Sequence, residues 1–547
     1  MLKLLCMETF ETERILLIDL TGSEYKFIPY APLLKEHIYG RGLVLNLFEK
    51  YLPDETGRFE PENLIVLVPG LFAGTPAPSA VRMLVATVES KDGGIHISNT
   101  TGNLPQKLGS LGLAAIVIKG KAPQKNTVIH INSQNIDIFS DDALGGITTG
   151  EIVQKLKNRY SRNSAIIGTG IAGDKMLSLS SFFCTYPDGI PEYHVPRDGF
   201  GDVWGSKNLR AIVVDQEEYF ARECVDPERF RKLGRKLAQN IINDEICGSA
   251  LPALGSMTIM RILEGGNSSA ILKSLKGKQP IESPDDYPAK GSREHRNKTC
   301  APMCVIGCLN RHNTNDGRQY LSPTQAETQA AISKCFGIDD FYLAAEVQKK
   351  AIEIGIVATE FVTACKTFAL THGIENGEER LLLWLNEIRD GSLTGRLIAS
   401  RTYGVADLYS DVQLTGWIDR KAIQDEHLFD VRMNTKYPGL PDLNELELLY
   451  SQIFILDNLG FCIFTAFALL DKAESFDLMA EMFEAMTGEA MTGEQLIAEA
   501  NDCINREEAF REHRWMAAQK TIIPPFTRVL YRYFDKRAQD GSRNSEQ

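Results

Sequence analysis

Short apolar runs bounded by Gly, Pro or Asp dominate the first 215 residues or so. ILLIDL, NLIVLVPG, RMLVATVES, AAIVIKG and LRAIVVD are rich in β-branched residues and only a few residues long, which predicts strands. In that region GEIVQKLKNRY is the best helical pattern. After about Glu217 the pattern changes. DPERFRKLGRKLAQNII, FYLAAEVQKKAIEIG and SFDLMAEMFEAM carry apolar residues at helical spacing. The expected fold class is α+β: a β-rich domain over residues 1–215, a mainly helical domain over 216–410 and a second helical domain over 411–547. The polar, Pro- and Lys-rich stretch from about Lys276 to Lys298 reads as a long loop, and the tail from Arg537 as frayed. The doubled MTGE at Met486 and Met491 is too short to be a structural repeat.

Length and composition fit large buried cores: 547 residues, 43% apolar and 24% charged. The net charge of −13 argues against nucleic acid or an anionic membrane as the main partner, because both need a basic surface. A small-molecule substrate is compatible with it. Glu8, Glu11 and Glu13 interrupt any apolar leader, and no apolar run reaches membrane-spanning length. Eleven cysteines without a leader point to a reducing compartment, so the expected location is the cytoplasm.

Three of those cysteines, Cys300, Cys304 and Cys308, fall within TCAPMCVIGC. Thiolates so closely spaced can converge on one iron–sulfur cluster or one zinc ion, and the spacing does not choose between them. A fourth ligand must come from elsewhere. Cys462, in DNLGFC, sits beside a glycine in an apolar stretch. His295 and His312 flank the cluster and would suit the zinc alternative. Cys6, Cys184, Cys224, Cys247, Cys335, Cys365 and Cys503 read as ordinary buried thiols.

The same residues belong to a longer series: IDLTG, IYGRGL, PGLFAGTPAPSAVR, GGIHISNTTG, KLGSLGLAAIVIKGKA, PRDGFGDVWGSKNLRAIVV, the cysteine cluster, PTQAETQAAISKCFGI and DNLGFC. In this order they resemble the aldehyde ferredoxin oxidoreductase family of tungsten-pterin enzymes across most of the chain. The resemblance implies a β-rich base for two pterins sharing one tungsten, which the protein does not ligate directly, with helical domains closing over it. Molybdenum in place of tungsten stays open. It further implies a 4Fe-4S cluster on Cys300, Cys304, Cys308 and Cys462, aldehyde oxidation to a carboxylic acid, ferredoxin or an iron–sulfur subunit as electron partner, and often a homodimer.

Residue by residue, Arg82 and Arg197 match arginines at the pterin, and a guanidinium fork suits a pterin phosphate. Asn99 matches a pterin-contacting asparagine, with Thr101 two residues on. Gly199 and Gly201 would let backbone N–H groups approach the cofactor. Asp457 matches an aspartate that meets a pterin ring, Phe461 lies between it and Cys462, and Cys462 completes the cluster. Glu327, in QAET, matches a glutamate near the tungsten that accepts a proton.

Four departures stand out. The first cysteines are spaced C-x3-C where the family usually has C-x2-C. Thr101 replaces a glycine. Gly355-Ile356-Val357-Ala358 replaces Gly-Leu-Asp-Thr, so an aspartate that helps hold a pterin is lost. The long segment that supplies a catalytic histidine is not found before DNLGFC, where His427 is the one histidine available. A non-catalytic relative, acting as an iron–sulfur electron-transfer or structural subunit, is therefore the alternative. Gly168-x-Gly170-x-x-Gly173 mimics a dinucleotide fingerprint, with Asp188 about 20 residues on, but KMLSLSSFFC after it reads as strand rather than the required helix.

Overall fold

The structure is a computed structural model. It describes residues 13–54, 56–88, 94–187, 193–194, 199–255, 257–263, 299–309, 311–313, 319–321, 326–338, 340–374, 378–408, 433, 435, 437–440 and 443–514.

Two six-stranded sheets occupy the N-terminal part. The first comprises β1 (Arg14–Asp19), β2 (Glu24–Pro29), β3 (Ile65–Pro69), β4 (Met83–Val88), β5 (Ile95–Thr100) and β6 (Leu113–Lys119), in the order β2-β1-β6-β3-β4-β5. The second comprises β7 (Thr127–Asn132), β8 (Ile136–Ser140), β9 (Ala165–Thr169), β10 (Phe182–Cys184), β11 (Tyr193–His194) and β12 (Leu209–Asp215), in the order β11-β10-β9-β12-β7-β8. The pairs β1–β6 and β7–β12 are parallel; all other pairings are antiparallel.

The continuous apolar runs exist because the strands are covered on both faces. Along β3 and β4 the two-residue period divides the side chains between two cores. Ile65, Leu67, Met83 and Val85 meet Ile129, Ile167, Ile212 and Val214 of the second sheet. Val66, Val68, Leu84 and Ala86 face helices instead, including Gly40–Tyr51, Pro227–Asn243, Glu445–Leu459 and Ala473–Thr487. The outer face of the second sheet is covered by the helix Thr149–Arg159, which starts with a Thr148–Glu151 capping box. A further helical core, including Phe361, Leu385 and Val405, spans residues 332–405 and is joined by Leu177 and Leu179.

The expected strands and the four quoted helical patterns all appear as such. The helix Gly40–Tyr51 has no counterpart in the sequence reading. Leu43, Val44, Leu45, Leu47 and Phe48 are all buried, so it is apolar nearly all round and shows no clean amphipathic stripe. Residues 175–184 also differ from expectation: a one-turn helix, Ile171–Asp174, precedes them, and only Phe182–Cys184 is strand.

One loop, residues 70–82 between β3 and β4, ties the sheets to the C-terminal helices. The N–H groups of Leu71 and Phe72 donate to Asn458 O and Leu459 O at the end of the helix Glu445–Leu459 (3.0 and 3.1 Å). Arg82 N–H donates to Gly460 O (2.9 Å), and Ala80 bridges Phe461. Gly460 ends that helix in the left-handed region at φ 88°, and a Cβ on Gly70 would lie 2.1 Å from its Cα. Two glycines are required where these backbones cross.

Candidate cofactor and cluster site

The loop 70–82 brings the fourth cysteine to the other three. Cys462 N–H donates to Ser79 O (2.9 Å). Ser79 N–H donates to Met303 O (2.8 Å), and Ser79 Oγ accepts from Val305 N–H (3.2 Å). One buried serine thus holds both cysteine-bearing segments. Ser79 and Met303 are themselves left-handed, at φ 58° and 64°, an uncommon conformation for residues with a Cβ. Met303 is one of the three residues between Cys300 and Cys304, so the widened C-x3-C spacing is accommodated by this turn and its bond to Ser79.

Cys300 and Cys462 are buried; Cys304 and Cys308 are half-buried. A hydrogen bond with Cys304, followed by burial, pushes the Cys300 thiol well up. Burial does the same to Cys308, reinforced by Cys300 and Cys462. Burial and neighbouring thiols both disfavour the thiolate form of these two. Arg82 works the other way on both. Its Nη2 donates to Cys462 Sγ (3.4 Å). Thr101 lies against Cys300, Oγ1 to Sγ 3.6 Å, while its hydroxyl donates to Val81 O (3.1 Å). Phe461 is wholly buried beside Cys462. Among the described residues no three His, Cys, Asp or Glu side chains converge tightly enough to hold a single metal ion.

Asp457 stands beside this group in the last turn of its helix. There the helix dipole and burial both disfavour a carboxylate, and burial raises its pKa. Three groups act against that rise: Arg41, with Nη1 3.9 Å from Oδ2; Arg82; and Asn99, whose Nδ2 donates to Oδ1 (2.8 Å). Arg41 is fixed by Glu507, which accepts from its Nε (3.0 Å), and by the Phe454 ring 4.6 Å away. Asn99 Oδ1 is buried without a hydrogen-bond partner among the described residues. A buried carbonyl oxygen in that state is an acceptor that a ligand's N–H or O–H would satisfy.

The profile of the aldehyde ferredoxin oxidoreductase N-terminal domain matches residues 15–216. The chain is 24% identical over 513 residues to the tungsten-containing aldehyde ferredoxin oxidoreductase of Pyrococcus furiosus, covering 83% of this chain and 82% of that one. Residues 15–216 match that family's N-terminal domain, and the likeness to its members runs over most of the chain. A second family protein of that name, from Thermococcus kodakarensis, is 26% identical over 357 residues, 63% of this chain and 56% of its own length. A P. furiosus protein named as the WOR-like subunit of an aliphatic sulfonate oxidoreductase is 22% identical over 247 residues, 42% of this chain and 38% of its own. Among solved structures, the active-site complex BamBC of benzoyl coenzyme A reductase shares the fold at a TM-score of 0.71 and 18% identity, with 96% of this chain and 94% of that one covered.

Of the residues singled out on the family resemblance, Arg82, Asn99, Thr101, Asp457, Phe461 and the four cysteines form one neighbourhood. Glu327 is half-buried in the first turn of the helix Ala326–Phe336, whose Ile332 and Cys335 belong to the 332–405 core. Gly199 and Gly201 pack on Ser181, to which an added Cβ would come within 2.6 and 2.5 Å, and Gly201 N–H donates to Ser180 O (3.2 Å). Val357 is the N-cap of the helix Ala358–Thr371 and makes no side-chain cap bond, as expected where an aspartate is lost. Arg197, His427, His295 and Asp188 lie outside the described residues, as do Cys6, the 276–298 stretch and the tail from Arg537. His312 lies on a short strand, Arg311–Asn313. Cys184, Cys247, Cys335, Cys365 and Cys503 are buried, and Cys224 is half-buried.

The glycines of the dinucleotide look-alike are filled from within. A Cβ on Gly168, Gly170 or Gly173 would meet Arg210 O at 2.7 Å, Ile354 O at 2.5 Å or Thr169 Oγ1 at 2.0 Å. They serve packing between β9, β12 and the helices. Ser79, Arg41 and Glu507 are the contributors that sequence reasoning missed. Ser79 lies inside PGLFAGTPAPSAVR, but its residue type signals no role there, and Glu507 lies 466 residues from Arg41.

Proposed function

We propose that the chain is a tungsten- or molybdenum-pterin oxidoreductase with a 4Fe-4S cluster, oxidising an aldehyde to a carboxylic acid and passing electrons to ferredoxin. The observation that carries this reading is the meeting of Cys462 with Cys300, Cys304 and Cys308 beside a guanidinium, Arg82. The residues fit the groups. Four thiols gathered beside a guanidinium suit a 4Fe-4S cluster, which takes one thiolate on each iron. Asn99 and Asp457 offer donors and acceptors to the polar edge of a pterin, and Arg82 and Arg197 offer charge to its phosphate.

Bound there, the pterin-held metal supplies two-electron exchange with the substrate and the cluster a one-electron relay. The protein's own part is positional and electrostatic. Cys300, Cys304, Cys308 and Cys462 would hold the cluster as thiolates, and Arg82 would lower the cost of confining their charge. Asn99 and Asp457 would orient the pterin, with Thr101 and Phe461 beside them. On the family resemblance, Glu327 would accept the proton released on oxidation. The small-molecule substrate, a cytoplasmic location and a homodimer follow from the same reading. So does the division into a β-rich domain to about residue 215, a helical domain to about 410 and a C-terminal helical domain. No described helix is long and apolar enough to cross a membrane.

The uncapped Val357 favours a second reading, an iron–sulfur electron-transfer or structural subunit without its own turnover. Electron paramagnetic resonance of the anaerobically reduced protein tests the shared part. A cluster signal that Cys308→Ala abolishes or changes supports both readings. A colourless protein holding zinc contradicts both.

A further inference from the structure

The chain carries a net charge of −13, yet one helix is strongly basic. Pro227–Asn243 holds Arg229, Arg231, Lys232, Arg235 and Lys236 against a single acid, Glu228. Arg229 is engaged by Glu484 (2.9 Å) and Glu481 (3.7 Å) of the neighbouring helix. Arg231, Lys232, Arg235 and Lys236 are exposed. They make no ion pair among the described residues. They form two like-charged i,i+4 pairs, an arrangement that weakens a helix rather than supporting it. Such a face is not explained by the stability of the helix.

The inner face of the same helix leads to the cysteine site. Phe230 meets Phe72 edge to face (5.4 Å between ring centres), and Phe72 meets Phe461 the same way (5.9 Å). Phe461 directly precedes Cys462. One turn along from Phe230, an added Cβ on Gly234 would lie 3.6 Å from Pro78, the residue before Ser79. Beyond the helix, Cys247 Sγ donates to Phe464 O (3.2 Å), two residues after Cys462. The basic face is thus backed by a continuous packed layer ending at a cluster ligand.

We propose that this outer face, centred on Arg231, Lys232, Arg235 and Lys236, is the docking surface for an acidic one-electron carrier protein. The proposal rests on the cluster assignment above and adds where the carrier binds. The step it serves is the transfer of one electron from the reduced cluster to the oxidised carrier, leaving the cluster oxidised by one and the carrier reduced by one. A basic patch opposite an acidic partner accelerates encounter and makes it sensitive to salt.

The test uses the anaerobic, cluster-containing protein and an acidic ferredoxin as probe. Two variants are compared with the parent: all four residues changed to Gln, and all four changed to Glu. Stopped-flow electron exchange needs no aldehyde, so it does not depend on turnover. At low salt the Gln variant is expected to exchange about tenfold more slowly with ferredoxin and the Glu variant slower still, with a flattened salt dependence. Exchange with a small neutral mediator should be unchanged. Carbodiimide cross-linking of the probe should map to Lys232 or Lys236. Unchanged ferredoxin rates in both variants would overturn the proposal. So would cross-links elsewhere, or binding of DNA or anionic vesicles by this face in place of ferredoxin. Cross-linking at these lysines in a preparation without iron would leave the docking surface standing and remove the cluster assignment instead.

Discussion

Cys462 is held through its own backbone by Ser79, whose carbonyl accepts the Cys462 N–H at 2.9 Å. Ser79 also engages Met303 and Val305 of the other cysteine segment. Its hydroxyl and its left-handed backbone therefore make separate contributions that substitution can tell apart. Ser79→Ala loses the hydroxyl, leaves Val305 N–H unsatisfied and keeps the conformational cost, for a loss of about 1–3 kcal/mol. Ser79→Gly loses the same bond but relieves the left-handed strain. The expected order of thermal stability, and of resistance to iron removal by a chelator, is Ser79, then Gly, then Ala. Melting curves and iron-release kinetics give that order directly.

Arg82 places a positive charge on a cluster ligand, Nη2 to Cys462 Sγ 3.4 Å. Adding an electron to the cluster increases its negative charge, which Arg82 stabilises. Arg82→Gln should therefore lower the midpoint potential, by on the order of 60 mV if one tenfold change in a one-electron equilibrium is lost. A redox titration followed by electron paramagnetic resonance reads this. Arg82→Lys, which keeps the charge, should recover most of the shift.

Asp457 is a group beside the cysteines whose ionisation burial opposes. Its pKa is raised by burial against Arg41, Arg82 and Asn99, and its side chain retains 20% exposure. A carboxyl raised in the folded state binds its proton more tightly there than in the unfolded chain. The resulting stability is fully present below the unfolded pKa of about 3.9 and is lost as pH rises through the folded value. Asp457→Asn removes that dependence. Relative to the parent, it should be stabler at neutral pH than at about pH 4, by roughly 1.4 kcal/mol for each unit of displacement. Denaturant midpoints of the two proteins across that range should diverge as pH rises.

Glu327 separates the enzymatic reading from the subunit reading. As a proton acceptor its removal in Glu327→Gln should slow aldehyde oxidation about a hundredfold or more, with metal content unchanged. Equal activity of parent and variant in an assembled complex would favour the subunit reading.

The strands β1, β3, β4, β6 and β12 were legible because their apolar runs are largely buried, so composition alone marked them; β2, nearly all exposed, carries no such run. The Thr149–Arg159 helix was legible because one side of it faces solvent and its cap is written in Thr148 and Glu151. The helix Gly40–Tyr51 was not, because it is buried nearly all round. The three close cysteines announced a metal site by spacing, whereas Cys462 joined them only through the family resemblance, since its approach depends on the 70–82 loop crossing Gly460. Arg41 and Glu507 meet from opposite ends of the chain. No local pattern encodes such a pair.

The most direct test is to purify the protein without oxygen and measure tungsten, molybdenum, iron and zinc per chain by elemental mass spectrometry. The expected result is about four irons with about one tungsten or molybdenum. Zinc in place of iron, or no bound metal in a folded protein, would contradict the cluster and the function built on it. Four irons without a heavy metal would keep the cluster and overturn the pterin-metal oxidoreductase.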